Sequence, residues 1–225
     1  MKFTEDFINK IHVETQGNFE ILKQLPDKCI DLIIIDPPYL TTNEKWDKKE
    51  VVNEWLSQEL FRVAKEHCSL YVWCGIGEKS QSLIRWFPIF KKNWCFKDLI
   101  TWKKDRGIGM RRGWLYTREE IMWFVKDNKK FIWNKEKQYL FNQKRKRDKY
   151  GIKPNQQGEM PKSIYPRITN VWDNISEPTF NIKNKISHFT PKPLEAIERI
   201  INLHTKEGDI VLDCFMGSGS THKTI

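Results

Sequence analysis

The stretch "IDLIIIDPPY", Ile30 to Tyr39, decides how this 225-residue chain folds. Its apolar run has the length and composition of a strand buried on both faces, as parallel sheets require. Asp36 closes it, and Pro37 and Pro38 can continue neither a strand nor a helix. A second stretch, "GDIVLDCF" (Gly208 to Phe215), ends in the same manner, in Asp213 and then in Gly217 and Gly219. Strands that open at their carboxyl ends into acidic or glycine-rich loops predict an α/β fold.

Between these two strands, "KKEVVNEWLSQELFRVAKEH" (Lys48 to His67) places Val52, Trp55, Leu56, Leu60, Val63 and Ala64 at helical spacing, and "SLYVWCG" (Ser69 to Gly75) reads as a strand. "GEKSQSLIRWFPIFKKN" predicts a helix broken near Pro88. "DLITWKK" (Asp98 to Lys104), "EEIMWFVKD" (Glu119 to Asp127) and "KFIWN" (Lys130 to Asn134) are strand candidates, and Trp102, Trp123 and Trp133 read as core or pairing residues. From Lys135 to Ile186 the periodicity is poor, so an irregular excursion is expected. "KPLEAIERIINLHTKEGD" (Lys192 to Asp209) is a helix, stopped near Gly208, that delivers the chain into the last strand.

The net charge of +10 is concentrated in one place. Residues 101–153 carry 17 Lys and Arg against 6 Asp and Glu, whereas the remainder carries 22 against 23. A basic surplus confined to one segment suits a polyanion, most often nucleic acid, although a solvated basic face explains it equally well. Five scattered cysteines with no C-x-x-C pair argue against a disulfide framework or a zinc site, and no window matches the run of roughly 20 apolar residues that a membrane span needs. A soluble cytoplasmic protein without metal is expected. His12, His67, His204 and His222 show no ligand spacing.

"DPPY" carries the chemistry. The Pro37 carbonyl is free of any ladder, an acid stands on one side of it, and an aromatic ring stands on the other. Such a corner can accept two hydrogen bonds from one amino group while Tyr39 stacks on the ring that bears it. Methyl transfer to an exocyclic base nitrogen needs that arrangement, because the nitrogen lone pair is otherwise delocalised into the ring.

At these residues the sequence resembles the amino-group DNA methyltransferases that use S-adenosylmethionine, with Asp36–Tyr39 after one strand and the Phe-x-Gly-x-Gly loop of Phe215, Gly217 and Gly219 after another. Asp at the head of the corner implies the N6 amino group of adenine in double-stranded DNA; the cytosine-N4 enzymes, usually headed by Ser, are an alternative. The order of motifs resembles the permuted beta class. "HFTPKP" (His188 to Pro193) resembles the family's H-P-T-Q-K-P element at the cofactor's methionine end, fitting at Thr190, Lys192 and Pro193 and departing at Phe189 and Pro191. Asn18 stands where the family often has an Asp facing the cofactor adenine, and a plain turn residue explains it equally well.

The resemblance implies a Rossmann-like, mostly parallel sheet with helices on both faces, formed by residues 1–134 and 186–225, with residues 135–185 inserted as a target-recognition region. It implies a catalytic corner of Asp36, Pro37, Pro38 and Tyr39 and a cofactor site of Asn18, Asp36, Thr190, Lys192, Asp213, Phe215, Gly217, Gly219 and Thr221. The target adenine would be flipped out of the duplex to reach Tyr39. DNA contacts are expected from Arg106, Arg111 and Arg112 in a glycine-rich loop spanning 103–118, and from Lys144, Arg145, Lys146 and Arg147.

"GSGSTHKT" differs from the triphosphate-binding pattern G-x-x-x-x-G-K-[ST] only by His222 in place of a glycine, which makes a nucleotide triphosphatase the rival reading. In the resembled family the glycine loop leads into a further βαβ unit, and "HKTI" does not resemble its continuation. The expectation is a chain truncated after Thr221, with a sheet incomplete at the C-terminus. Three readings follow: an active methyltransferase belonging to or derived from a restriction-modification system, an inactive remnant that still binds DNA, or a fragment completed by a homodimer copy or a second polypeptide.

Overall fold

The computed structural model describes residues 18–108, 112–138, 167–178, 191–217 and 219–224. Six strands form one sheet in the order β5-β3-β4-β2-β1-β6. They are β1 (Ile30–Ile35), β2 (Ala64–Cys74), β3 (Cys95–Ile108), β4 (Tyr116–Val125), β5 (Val171–Trp172) and β6 (Val211–Leu212). β1 lies parallel to both β2 and β6, β3 lies parallel to β5, and β4 runs antiparallel between β2 and β3. Five of the six strands therefore point the same way, and the sheet is mostly parallel.

All six residues of β1 are buried, because successive side chains enter two different cores. Ile33 and Ile35 join Leu70, Val72, Met122 and Phe124 on one face, under α1 (Asn18–Gln24), α2 (Glu54–Val63) and α3 (Ser82–Lys91). Leu32 and Ile34 join Tyr71, Trp73, Ile121 and Trp102 on the other, under α4 (Leu194–His204), which contributes Ala196, Ile197 and Ile200. A short α5 (Ser220–Thr224) follows β6. The chain leaves β1 across one face to reach β2 and returns across the other face to reach β6. The two connections diverge at β1, so a crevice opens at the carboxyl ends of β1 and β6, where open α/β sheets bind ligands.

Several expected boundaries move. α2 starts where the Asn53 side chain accepts the Leu56 N–H at 2.9 Å, and it stops at Val63. Ala64 already belongs to β2, so the helix predicted over residues 48–67 gives its last turn to the strand. α3 runs through Pro88 without breaking; Trp86 and Phe90, both fully buried, carry it across the missing backbone bond. "KFIWN" forms no strand. Phe131 and Trp133 instead pack on Trp123, at 5.6 and 5.4 Å between ring centroids. α4 ends at His204, short of Gly208, and β6 is a half-buried two-residue edge strand rather than a buried one.

His204, to which the sequence assigns nothing, is buried under the sheet. It bonds the Tyr71 hydroxyl at 2.6 Å and the Ile132 carbonyl at 2.7 Å, and burial depresses it to about 4, so it stands neutral. No helix of the described residues is long and apolar enough to cross a membrane, and the five cysteines are unpaired.

Candidate active site

The carboxyl ends of β1, β2 and β6 and the amino end of antiparallel β4 meet at one edge of the sheet. One cavity of about 940 Å³ opens there, lined by Asp36, Pro37, Pro38 and Tyr39 from beyond β1 and by Asp213, Phe215, Gly217 and Thr221 from beyond β6. The two motifs lie far apart in sequence, yet they share a wall because β1 and β6 pair in register, Leu32 with Val211 and Ile33 with Leu212.

The corner after β1 is fixed from behind. Leu40 adopts a left-handed backbone, φ 64°, and the buried carboxylate of Asp47 accepts the N–H groups of Leu40, Thr41 and Thr42. Burial alone would raise Asp47, but these backbone donors outweigh it and hold the carboxyl below its ordinary value. The Tyr39 ring packs edge-on against Trp86 at 5.9 Å, and its hydroxyl is buried with no hydrogen-bond partner of good geometry.

Asp36 keeps 30% of its side-chain surface exposed, on the cavity, and its Oδ2 lies 3.0 Å from Lys192 Nζ. The same ammonium is 3.0 Å from Glu119 Oε2, and it stands 5.1 Å from the ring centroid of Tyr39 and 5.2 Å from that of Trp73. Glu119 also pairs with Lys104. Burial pushes Asp36 above its ordinary range; Lys192 opposes this without overcoming it, and Glu119 adds to it. Burial pushes Glu119 the same way, but Lys192 and Lys104 together outweigh it and hold Glu119 down. Lys192 remains firmly protonated, since its two carboxylates more than offset its own burial.

At the glycine turn, Gly217 and Gly219 have φ of 51° and 74°, a backbone region that favours glycine. Asp213 accepts the Phe215 N–H at 2.9 Å and the Thr221 hydroxyl at 2.6 Å. Burial raises its carboxyl to about 6, against both of these bonds and with the charge of Asp36 adding to the rise. Thr224, the residue that a triphosphate site would turn toward a magnesium ion, instead donates its hydroxyl to the Ser220 carbonyl at 2.9 Å. Among the described residues no cluster of three His, Cys, Asp or Glu side chains is placed to hold a metal.

Of the residues singled out in the sequence, Asp36–Tyr39, Lys192, Asp213, Phe215, Gly217 and Thr221 converge on this cavity, and Gly219 completes the turn. Asn18 opens α1, Arg106 lies on β3, and Arg112 is exposed beyond the end of that strand. Thr190, Arg111, Lys144, Arg145, Lys146 and Arg147 lie outside the described residues. Sequence reading missed Asp47, Trp73, Lys104, Tyr116, Arg118 and Glu119, all of which line the cavity. The strand pattern around Glu119 was visible; the pairing that brings its start to this edge was not.

A carboxylate and a backbone carbonyl beside a buried aromatic face can hold an amino group carried on a planar ring. The volume lies within the range of small-molecule sites, roughly 300–1,000 Å³. The glycine turn beside this corner, with no side chain at Gly217, leaves such a cavity room for a ligand next to the ring.

Comparison with known proteins bears on the whole of this arrangement. A family model described as DNA methylase matches residues 30–225. The type II methyltransferase M1.MboII of Moraxella bovis is 31% identical over 232 residues, 95% of this chain and 86% of that protein. M.HpaI of Haemophilus parainfluenzae is 35% identical over 210 residues, 88% of this chain but only 61% of the longer relative. The DNA adenine methyltransferase YhdJ of Escherichia coli (strain K12) is 29% identical over 210 residues, 89% and 69% of the two chains. Among solved structures, the complex of M1.HpyAVI with SAM superposes with a TM-score of 0.55 at 27% identity, covering 93% of this chain and 84% of that one.

Proposed function

The chain belongs to the DNA methylase family, and on that premise we propose that it transfers a methyl group from S-adenosylmethionine to the N6 amino group of adenine in double-stranded DNA, within or derived from a cytoplasmic restriction-modification system. The observation that carries this reading is the shared cavity: the Asp36–Tyr39 corner after β1 and the glycine turn after β6 line it together. Asp at the head of the corner and the likeness to an adenine methyltransferase favour adenine over cytosine-N4.

The roles of the chain's own residues follow. Gly217 and Gly219 let the backbone turn close to the cofactor, with Phe215 and Asp213 beside it, and Asn18, Thr190 and Thr221 complete its site. When bound, the cofactor supplies an electrophilic sulfonium methyl. The flipped base stacks on Tyr39, and Asp36 and the Pro37 carbonyl accept its two amino hydrogens. These bonds would localise the nitrogen lone pair for attack on that methyl group, and Asp36 would take the surplus amino proton along its hydrogen bond. Positioning of the two reactants supplies most of the acceleration.

We assign residues 135–185 to target recognition beside a core of 1–134 and 186–225. Support for a DNA-facing rim comes from the β3–β4 hairpin. Trp114 is 92% exposed at its tip next to exposed Arg112, while Tyr116 and Arg118, farther down β4, line the cavity.

Purified chain incubated with radiolabelled S-adenosylmethionine and a mixed-sequence duplex tests the reading. N6-methyladenine is the expected product after digestion to nucleosides. N4-methylcytosine would overturn the base assignment. Failure to bind the cofactor in calorimetry, or retention of DNA without transfer, would favour an inactive remnant. Activity that appears only at high protein concentration or with an added polypeptide would favour a chain that works as an assembly.

A further inference from the structure

Lys192 has one ammonium and two carboxylates to serve. Its Nζ lies 3.0 Å from Asp36 Oδ2 and 3.0 Å from Glu119 Oε2, with side-chain exposures of 9% for the lysine and 15% for the glutamate. The faces of Tyr39 and Trp73 hold the cation at this point from two further sides. Lys104 engages the other oxygen of Glu119. Glu119 thus has two cations and Asp36 has a share of one, although only Asp36 belongs to the corner that meets the substrate.

On the methyltransferase reading above, we propose that Glu119 is a positioning residue for the transfer: by drawing Lys192 partly away from Asp36 it keeps the Asp36 carboxylate oriented yet incompletely paired, and so able to accept the target amino group. A lysine given wholly to Asp36 would compete with that amino group for the same acceptor. A lysine absent altogether would leave two buried carboxylates facing each other with nothing between them. The pair Lys104–Glu119 sets the balance between these extremes, and Lys104 comes from β3, Glu119 from β4 and Lys192 from the residues just before α4. The other ionisable groups near Asp36 are Tyr39, on its own loop, whose hydroxyl lies toward the carboxyl and favours its ionised form, and Asp213 beyond β6, whose charge opposes that form.

The structure makes opposite demands on two variants. In Glu119→Gln the ammonium has Asp36 alone as an anionic partner, so the midpoint of the Asp36 carboxyl moves down. In Lys192→Met the compensating charge is gone, so the midpoint moves up. Carbon-13 NMR titration of the side-chain carboxyls in the cofactor-free chain reads both shifts without requiring any transfer. In turnover, Glu119→Gln lowers kcat by roughly ten- to a hundredfold with little change in KM for the cofactor, and the acid limb of kcat follows the carboxyl midpoint. Glu119→Asp restores part of the rate. Lys104→Met leaves Glu119 pulling harder on Lys192 and moves the midpoint up, which keeps the test available if a substitution at position 119 prevents folding.

An Asp36 midpoint unmoved in Glu119→Gln, or moved in the same direction as in Lys192→Met, overturns the proposal. A wild-type chain that shows the opposed NMR shifts but transfers no methyl group upholds this charge arrangement and defeats the methyltransferase reading instead.

Discussion

Strand β1 carries an aspartate near each end, and the two have been put to opposite uses. Asp31 is 1% exposed, and its carboxylate is saturated: Lys65 Nζ lies 2.9 and 2.8 Å from its two oxygens, His67 Nε2 is 2.7 Å from one, and the Ile210 N–H donates to the other at 2.9 Å. Asp36, just past the other end, has a shared lysine, the neighbouring Tyr39 hydroxyl and a face open to the cavity. Burial pushes both carboxyls up. At Asp31 the Ile210 amide, Lys65 and His67 overturn that push and the group ends below its ordinary range, whereas at Asp36 the partners are too few and it ends above. The amino end of a parallel strand can be tied off with partners, because nothing has to enter there. The carboxyl end is where the ligand crevice opens, and an acid there is useful only in so far as it is left incomplete.

Exchanging what each acid can do breaks the comparison most directly. Asp36→Ala is expected to lower methyl transfer by at least roughly a hundred- to a thousandfold, the scale on which removing one transition-state hydrogen-bond partner acts. Its melting temperature should hold, since Lys192 keeps Glu119 as its partner. Transfer assays paired with calorimetry check both halves, and a large loss of stability with modest loss of rate would invert the assignment.

Asp31→Ala should do the reverse. It strands the half-buried Ile210 N–H and leaves Lys65 and His67 without the carboxylate they share, a cost of about 3 kcal/mol, which lowers the melting temperature of a chain of this length by roughly 6–12 °C. The rate per folded molecule should change little. The sign with pH follows from the depressed carboxyl. Its stabilisation is present above the ordinary Asp value of about 3.8 and is lost as pH falls toward the folded-state midpoint. Wild type should therefore lose part of its advantage over Asp31→Ala on acidification below about pH 4, and thermal melts across that range read it.

The two acids were not equally visible in the sequence. Asp36 announces itself because Pro37 and Pro38 restrict the chain next to it, and a restriction written into covalent geometry needs no partner to be read. Asp31 sits inside an apolar run and takes its meaning from Lys65, His67 and Ile210, which only the β1–β2 and β1–β6 pairings bring to it. Glu119 was hidden for the same reason: it belongs to the cavity because β4 runs antiparallel to β2 and begins at the edge where β2 ends, with Cys74 opposite Glu120. The errors at boundaries share this origin. The apolar stripe that predicts a helix through Ala64 does not reveal that β1 recruits Ala64 as a strand partner, Ile30 against Ala64. "KFIWN" has strand composition, but its aromatic rings are taken up by Trp123 rather than by a ladder.

Asp213 sharpens the comparison, since it stands at the carboxyl edge beside Asp36 and yet has its own hydrogen bonds. Those bonds come from one amide and one hydroxyl, with no cation among them, and burial still raises the carboxyl to about 6. A carboxyl raised above its unfolded value of about 3.8 contributes stability that is fully present below that value and is lost as pH rises through the folded midpoint. The cofactor-free chain should accordingly lose about 1–3 kcal/mol from this group between pH 4 and 6, the upper figure corresponding to a two-unit shift of a wholly buried acid. Asp213→Asn keeps an acceptor for the Phe215 N–H and offers a donor to the Thr221 oxygen, as the protonated acid would. The variant should melt higher than wild type at pH 7, converge with it near pH 4, and show a flatter profile between. The window is separate from that of Asp31, which acts below pH 4, so a single set of melts resolves both. A variant less stable than wild type at pH 7 would mean that the ionised carboxylate is tied off as firmly as Asp31, and that being left incomplete is confined to Asp36.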